Sequence, residues 1–279
     1  MTDQTEKAQR FRDAHRKGAP LVLPNAWDPG SARLLAGLGF QAIATTSAGF
    51  AFSRGRLDQV GQNSRDDALA HAAELVDAVD LPVSADFEDG FGADPATVAE
   101  TVRMAAEVGL VGCTIEDTTG DPDQPIFPFN HALARIEAAI DAARACPFPF
   151  TLTARAENYL HGRADLEDTL ARLKAFEAAG ADCLYAPGLL DLDTIRTVTS
   201  ALEKPFNVVI GIRPKGISIS DLAEAGVARI SLGSSLARRA YGALIDAGEE
   251  ILGPGTFSEA EKGAPFATIE GLLRDLQKA

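Results

Sequence analysis

Short apolar runs alternate with amphipathic stretches along nearly the whole chain. The runs are "LVLP" at 21, "AIATT" at 42, "LPVSAD" at 81, "VGCTIE" at 111, "FTLTAR" at 150, "CLYAP" at 183, "FNVVIG" at 206 and "RISLG" at 229. Between them lie segments such as "SRDDALAHAAELVDAV" and "DPATVAETVRMAAEVG", whose apolar residues recur at helical spacing. Glycines end several of these helices just before the next run, as in "AGLGFQAI", "AAEVGLVG", "EAAGADCL" and "AEAGVARI". Strands without polar alternation are covered on both faces, so the pattern predicts a parallel sheet with helices outside it.

Eight such units in about 250 residues predict an α/β fold of the (β/α)8 TIM-barrel type. An extra N-terminal helix is expected over about residues 3 to 16, and "FATIEGLLRDLQKA" predicts a C-terminal helical extension. With no linker or low-complexity segment, residues 1–279 read as a single barrel domain. An open doubly wound sheet is the second choice. It lacks support because no G-x-G-x-x-G follows the first strand.

The charge balance narrows the partners. The 279 residues carry 26 Lys and Arg against 40 Asp and Glu, a formal charge of −14. Such a surface repels phosphate backbones and anionic lipids, so neither nucleic acid nor membrane is expected as a partner. The opening "MTDQTEKAQRFRDAHRKG" lacks a signal-peptide core, and the expected compartment is the cytoplasm. Cys113, Cys146 and Cys183 are odd in number, widely spaced and flanked by small or apolar residues. They predict reduced thiols, not a disulfide framework or zinc site.

In a barrel of this kind the chemistry sits where strands end. The ends supply Asn25, Trp27 and Asp28 from the first strand, then "TTSAG" and Asp58 from the second. The third gives "SADFEDGFG", with Asp86, Glu88 and Asp89 directly after an apolar run, and the fourth gives Glu116 and Asp117. Arg155, Glu157 and Asn158 follow the fifth. Asp86 and Glu88 are two apart and project to one side of an extended strand, and Glu116 can converge on them from the adjacent strand. A donor set of oxygens alone fits Mg²⁺, or Mn²⁺, completed by water. The competing reading makes these acids helix caps or loop charges.

Arg155 can grip a substrate carboxylate bidentately or be locked in an internal ion pair with Glu157 or Glu116. Thr46, Ser47 and Ala48 offer hydroxyls and amides for a carboxylate cradle, or form a plain tight turn. Ser234 and Ser235 in "LGSSLARR" read as a structural helix cap. His15, His71, His131 and His161 lie off the strand ends, and for most of them a surface role is expected rather than catalysis. No lysine ends a strand, against Schiff-base chemistry; Lys215 comes nearest.

These residues, in this order, resemble the isocitrate lyase/phosphoenolpyruvate mutase superfamily, and its phosphonomutase-like branch most. The likeness runs from "LVLPNAWDPGSARLLAGLGFQAIATTSAG" to "SLGSSLARRAYGAL". "DFEDGFG" is similar to the family's D-x-D-x-G-[FY]-G, "TIED" to its strand-four glutamate motif and "TARAEN" to its A-R-x-[DE]. The resemblance implies a Mg²⁺-dependent lyase that cleaves a C–C bond of a small 2-oxo- or 2-hydroxy-carboxylate through a pyruvate-type enolate. Oxaloacetate decarboxylation or 2-methylisocitrate cleavage would fit. P–C mutase or hydrolase chemistry on a phosphonopyruvate-like compound, and a non-catalytic carboxylate-binding homologue, are the alternatives. Asp86 would hold the metal directly, with Glu88, Glu116 and Asp58 acting mainly through bound water. Arg155 would take the substrate carboxylate, with amides around Thr46, Ser47 and Ala48 and with Asn158 nearby. A homodimer or homotetramer exchanging C-terminal helices is also implied. Two departures stand out. Glu88 replaces the family's second Asp, and the lyase branch's K-K-C-G-H loop is replaced by "EDTTGDPDQPIFPFNH", with Asn130 and His131 as the nearby polar candidates.

Overall fold

A computed structural model describes residues 3–58, 61–211 and 216–275. All eight predicted apolar runs form strands. In chain order the elements begin with α1 (Gln4–Asp13), β1 (Leu21–Leu23), β2 (Asn25–Ala26), α2 (Pro29–Gly37), β3 (Ile43–Thr45) and α3 (Ser47–Ser53). They continue with α4 (Arg65–Ala78), β4 (Val83–Asp86), α5 (Pro95–Glu107), β5 (Gly112–Glu116), α6 (Phe129–Arg144) and β6 (Thr151–Arg155). The last part contains α7 (Leu166–Ala179), β7 (Cys183–Tyr185), α8 (Leu192–Ala201), β8 (Phe206–Val209), α9 (Ile219–Glu224), β9 (Arg229–Ser231), α10 (Ser235–Leu252) and α11 (Phe266–Asp275).

Every ladder is parallel, and the strand order is β1-β9-β8-β7-β6-β5-β4-β3-β2. β1 and β2 are consecutive and separated by Pro24 alone, so the ring closes through that residue. Proline has no N–H to give a ladder, which splits the first run in two. Its carbonyl still accepts from Ala44 N at 2.9 Å. The result is the expected (β/α)8 barrel.

Local chemistry sets the helix ends. Asp28 and Ser31 form a capping box ahead of Pro29, and Ser64 with Asp67 does the same for α4. Gly180 closes α7 in the left-handed region at φ 111°, the role its place before a strand predicted. The outward faces of β5 and β6 (Cys113, Ile115, Leu152, Ala154) pack with Val98, Val102 and Ile136 into one core. Each large aliphatic there contributes roughly 1.5–3 kcal/mol. Beneath the barrel, Ala8 and Phe11 of α1 join Leu21, Leu23 and Val111 in a second cluster that plugs its N-terminal end. At the other end of the chain α11 lies against α2, where a Cβ on Gly37 would stand 2.6 Å from the Leu272 carbonyl.

The inward faces are polar. One register-aligned rung runs Glu116, Arg155, Tyr185, Asn207, Arg229 across five neighbouring strands. No helix among the described residues is long and apolar enough to cross a membrane.

Candidate active site

The C-terminal ends of the strands surround a cavity of about 760 Å³. Asp86 ends β4, and each of its oxygens is held. Oδ2 accepts from the backbone N and hydroxyl of Ser47 at 3.3 and 2.9 Å, and Oδ1 accepts from Thr114 Oγ1 at 3.1 Å. Arg155 ends β6, two strands away. Its Nη1 lies 3.1 Å from Glu116 Oε2 and 3.6 Å from Asp86 Oδ1, its Nε donates to Glu157, and its guanidinium lies 5.0 Å above the Tyr185 ring. The internal ion pairs foreseen for Arg155 are therefore both present, inside the cavity wall.

The turn after β4 is forced. Glu88 takes φ 48°, a left-handed conformation uncommon outside glycine, and Phe91 takes φ 64°. The fully buried Arg135 of α6 braces it from behind, donating to the carbonyls of Asp89, Gly92 and Glu116 while its guanidinium lies 4.3 Å from the Phe127 ring. A helical arginine 43 residues beyond Gly92 gave no sequence signal for this role.

Charge is unbalanced at this end. Asp58, Asp86, Glu88, Glu116 and Glu157 line the cavity beside Arg155. Burial, then the charges of Asp86, Asp58 and Asp89, push Glu88 up to about 8, with Arg155 opposing. Burial also holds Glu116 well above the usual carboxylate range, although Arg155 pulls it down. Asp58 rises through burial of its carboxyl and repulsion from Asp86. Burial alone would lower Arg155, but Glu116, Glu157, Tyr185 and Asp86 outweigh it and hold the guanidinium firmly charged. A hard divalent cation suits such a set of crowded oxygens. Among the described residues no three His, Cys, Asp or Glu side chains form a ready metal cage.

Thr46, Ser47 and Ala48 line the cavity as expected, and Thr46 also caps α3 by accepting from Gly49 N at 3.2 Å. Other residues stand elsewhere. Asp117 is fully buried and turned away, accepting from Glu157 N at 2.8 Å and Arg172 Nη1 at 3.0 Å. Asn158 does not line the cavity: it is buried with its amide donating to Asp168, so its substrate role finds no geometric support.

One histidine is buried, and an exposed one lines the cavity. His71 is buried and donates to Trp27 O at 3.1 Å, His15 lies under the barrel, and His161 lines the cavity with Nε2 3.2 Å from Thr118 Oγ1. Strand-end position hid His161, because it enters from a loop six residues after Arg155. His131, the acid suggested by its loop, instead donates to Ala93 O at 2.8 Å and lies outside the cavity lining. Ser234, read as a cap, makes no capping bond and lines the cavity, while Ser235 donates to Ile210 O at 3.0 Å. Lys215 lies outside the described residues.

The phosphoenolpyruvate phosphomutase family model matches residues 11–252, which include every strand and every acid of the cavity. The chain belongs to that family. It is thereby a member of the isocitrate lyase/phosphoenolpyruvate mutase superfamily. A crystal structure of a candidate lyase/mutase from Burkholderia cenocepacia J2315 is 53% identical, with a TM-score of 0.92 over 96% of this chain and 95% of that one. The 2-methylisocitrate lyase of Salmonella typhimurium (strain LT2) is 32% identical over 71% of this chain and 68% of its own. The oxaloacetate decarboxylase of Paraburkholderia xenovorans (strain LB400) is 31% identical over 72% and 68%. Members of the family thus carry several different activities on one barrel.

Proposed function

We propose that this family member is a Mg²⁺-dependent carbon–carbon lyase acting on a small 2-oxo- or 2-hydroxy-carboxylate, with oxaloacetate-type decarboxylation as its first candidate reaction. The observation that carries this reading is the convergence of Asp86, Glu88, Glu116 and Arg155 on one cavity at the strand ends. Likeness to a 2-methylisocitrate lyase and an oxaloacetate decarboxylase supports it.

Asp86 is the anchor for the cation, since Ser47 and Thr114 fix both its oxygens, with Glu88, Glu116 and Asp58 ordering water around it. The cation, when bound, supplies stabilisation of negative charge developing on the substrate's 2-oxygen. Arg155 engages the substrate carboxylate by exchanging part of its hold on Glu116 and Glu157. In decarboxylation the C3–C4 bond breaks, CO₂ leaves, and the electron pair stays on the pyruvate enolate, which takes one proton at C3. His161 is placed to give that proton from the loop side, held by Thr118.

The loop favours decarboxylation over retro-aldol cleavage. Thr118, Gly120, Asp121, Pro122 and Pro125 bring it over the cavity without a thiol, which a retro-aldol lyase of the K-K-C-G-H type requires. P–C bond chemistry remains the second reading, supported by the family's name and by 37% identity to a candidate phosphonomutase of Burkholderia cenocepacia J2315. We further propose a homodimer or homotetramer, in which Leu244, Leu252 and Phe266, exposed at 69%, 90% and 87%, meet a second copy. Oxaloacetate, 2-methylisocitrate and phosphonopyruvate, each assayed with Mg²⁺ for pyruvate, CO₂ and phosphate, test the reaction. Pyruvate and CO₂ from oxaloacetate support the first reading; phosphate from phosphonopyruvate alone establishes the second. No product from any acid leaves a carboxylate-binding homologue.

A further inference from the structure

The floor of the cavity carries the opposite charge to its mouth. Arg229 opens β9 with 2% exposure and lines the same cavity as Arg155. Its Nε donates to Asn207 Oδ1 at 2.9 Å, and Asn207 Nδ2 donates in turn to Ser231 Oγ at 3.0 Å. Its Nη1 faces His15 Nε2 at 3.4 Å. That imidazole is not a counter-ion. His15 Nδ1 donates to Phe11 O at 2.7 Å, so the ring proton sits there and the Nε2 lone pair faces the guanidinium.

The other buried arginines have anions or carbonyls to match. Arg155 has Glu116 and Glu157, Arg172 has Asp117 and Asp168, and Arg135 has three carbonyls, although its Nε is left without a partner. Arg229 forms no ion pair with a carboxylate among the described residues, and its partners are the neutral Asn207 and His15 side chains. A buried charge left without an anion is costly, and its usual resolution is a paired group. The short side chains of Ala44 and Ser84 line the same cavity. Arg155 and Arg229 stand three strands apart on one rung, roughly 14 Å of arc at about 4.8 Å per strand, with both side chains inward.

We propose that Arg229, aimed by Asn207, is an anion-binding subsite that takes the second carboxylate of a dicarboxylate substrate. This rests on the carboxylate-substrate reading above, and it makes Arg229 a specificity-determining residue. The cation and Arg155 work at the mouth on the reacting end, and Arg229 selects the other end.

The test is calorimetric titration of the full-length protein in Mg²⁺ with succinate and with butyrate, which share a four-carbon chain and differ in the second carboxylate. Wild type should bind succinate at least tenfold more tightly. Arg229→Met should bring the two within twofold while leaving butyrate unchanged. Asn207→Ala, which keeps the charge but releases its aim, should cut the succinate preference at least threefold, and it decides the matter should Arg229→Met lose its near-ultraviolet circular dichroism. A purely structural Arg229 would lower the melting temperature and leave the ratio intact. An intact ratio in the folded variants, or no preference in wild type, overturns the subsite. Wild type that prefers succinate yet turns over none of the acids would overturn the lyase reading alone; pyruvate release from oxaloacetate without succinate preference would do the reverse.

Discussion

Ser47 gives both its backbone N–H and its hydroxyl to Oδ2 of Asp86, at 3.3 and 2.9 Å. The start of α3 therefore fixes the carboxylate that ends β4, and Thr114 fixes its other oxygen from β5. Preorganisation of this kind sets a residue apart as the anchor of a site, because no rotamer freedom is lost when a ligand arrives.

Asp86→Ala is accordingly predicted to abolish Mg²⁺ binding measured by calorimetry. Glu88→Ala should weaken it by about three- to tenfold, since Glu88 acts through water and its loss also relieves repulsion. Ser47→Ala should fall between wild type and Glu88→Ala. Unchanged Mg²⁺ affinity in Asp86→Ala would remove the anchor from the site.

Much of this site was legible because strand ends are legible. A continuous apolar run fixes where a parallel strand stops, and the next polar residue points into the mouth of the barrel. Asp86, Glu88, Glu116 and Arg155 were found that way. The same reading also named Asn158, but three residues past its strand the backbone has already turned and its amide reaches Asp168. His161 and Ser234 return to the cavity from loops, where no periodicity reports direction. Arg229 escaped notice for the opposite reason: it begins its strand, and only the polar rung descending from Arg155 through Tyr185 and Asn207 reveals that it faces the same space. The split at Pro24 was equally invisible, since "LVLP" and "NA" read as one run with its turn.

Catalysis should be independent of thiols. Cys113 is fully buried on the outward face of β5, with burial raising its pKa first and Cys146 adding to that, and Cys183 is equally enclosed. Treating the native enzyme with iodoacetamide should leave turnover within twofold. His161→Asn should lower kcat by roughly 10²-fold, the usual worth of one positioned proton donor, with KM little changed. Retained kcat in His161→Asn would assign the proton to another group.

Acid should loosen the base of the barrel. Burial, and then Arg229, hold His15 at about 3 against an ordinary 6.5, with the Phe11 and Arg12 carbonyls opposing. Between those two values the unfolded chain takes up a proton that the fold refuses, so stability falls as pH drops from about 6.5 towards 3. His15 is half-buried, which keeps the effect to roughly 1–2 kcal/mol. His15→Asn should remove that part of the slope in urea titrations at pH 7 and pH 4.5. An identical slope in the variant would mean His15 is protonated in the fold.

Oxalate titration, with Mg²⁺ and with a chelator, probes the enolate site without knowledge of the substrate. Two coplanar carboxylates mimic a pyruvate enolate, so oxalate should draw on binding energy reserved for the intermediate and exceed pyruvate in affinity. Binding should require Mg²⁺, falling at least a hundredfold in chelator, and Arg155→Lys should weaken it about tenfold because the two-pronged grip is lost. Equal oxalate affinity with and without the metal would contradict a cation-dependent enolate site at Asp86, Glu88, Glu116 and Arg155.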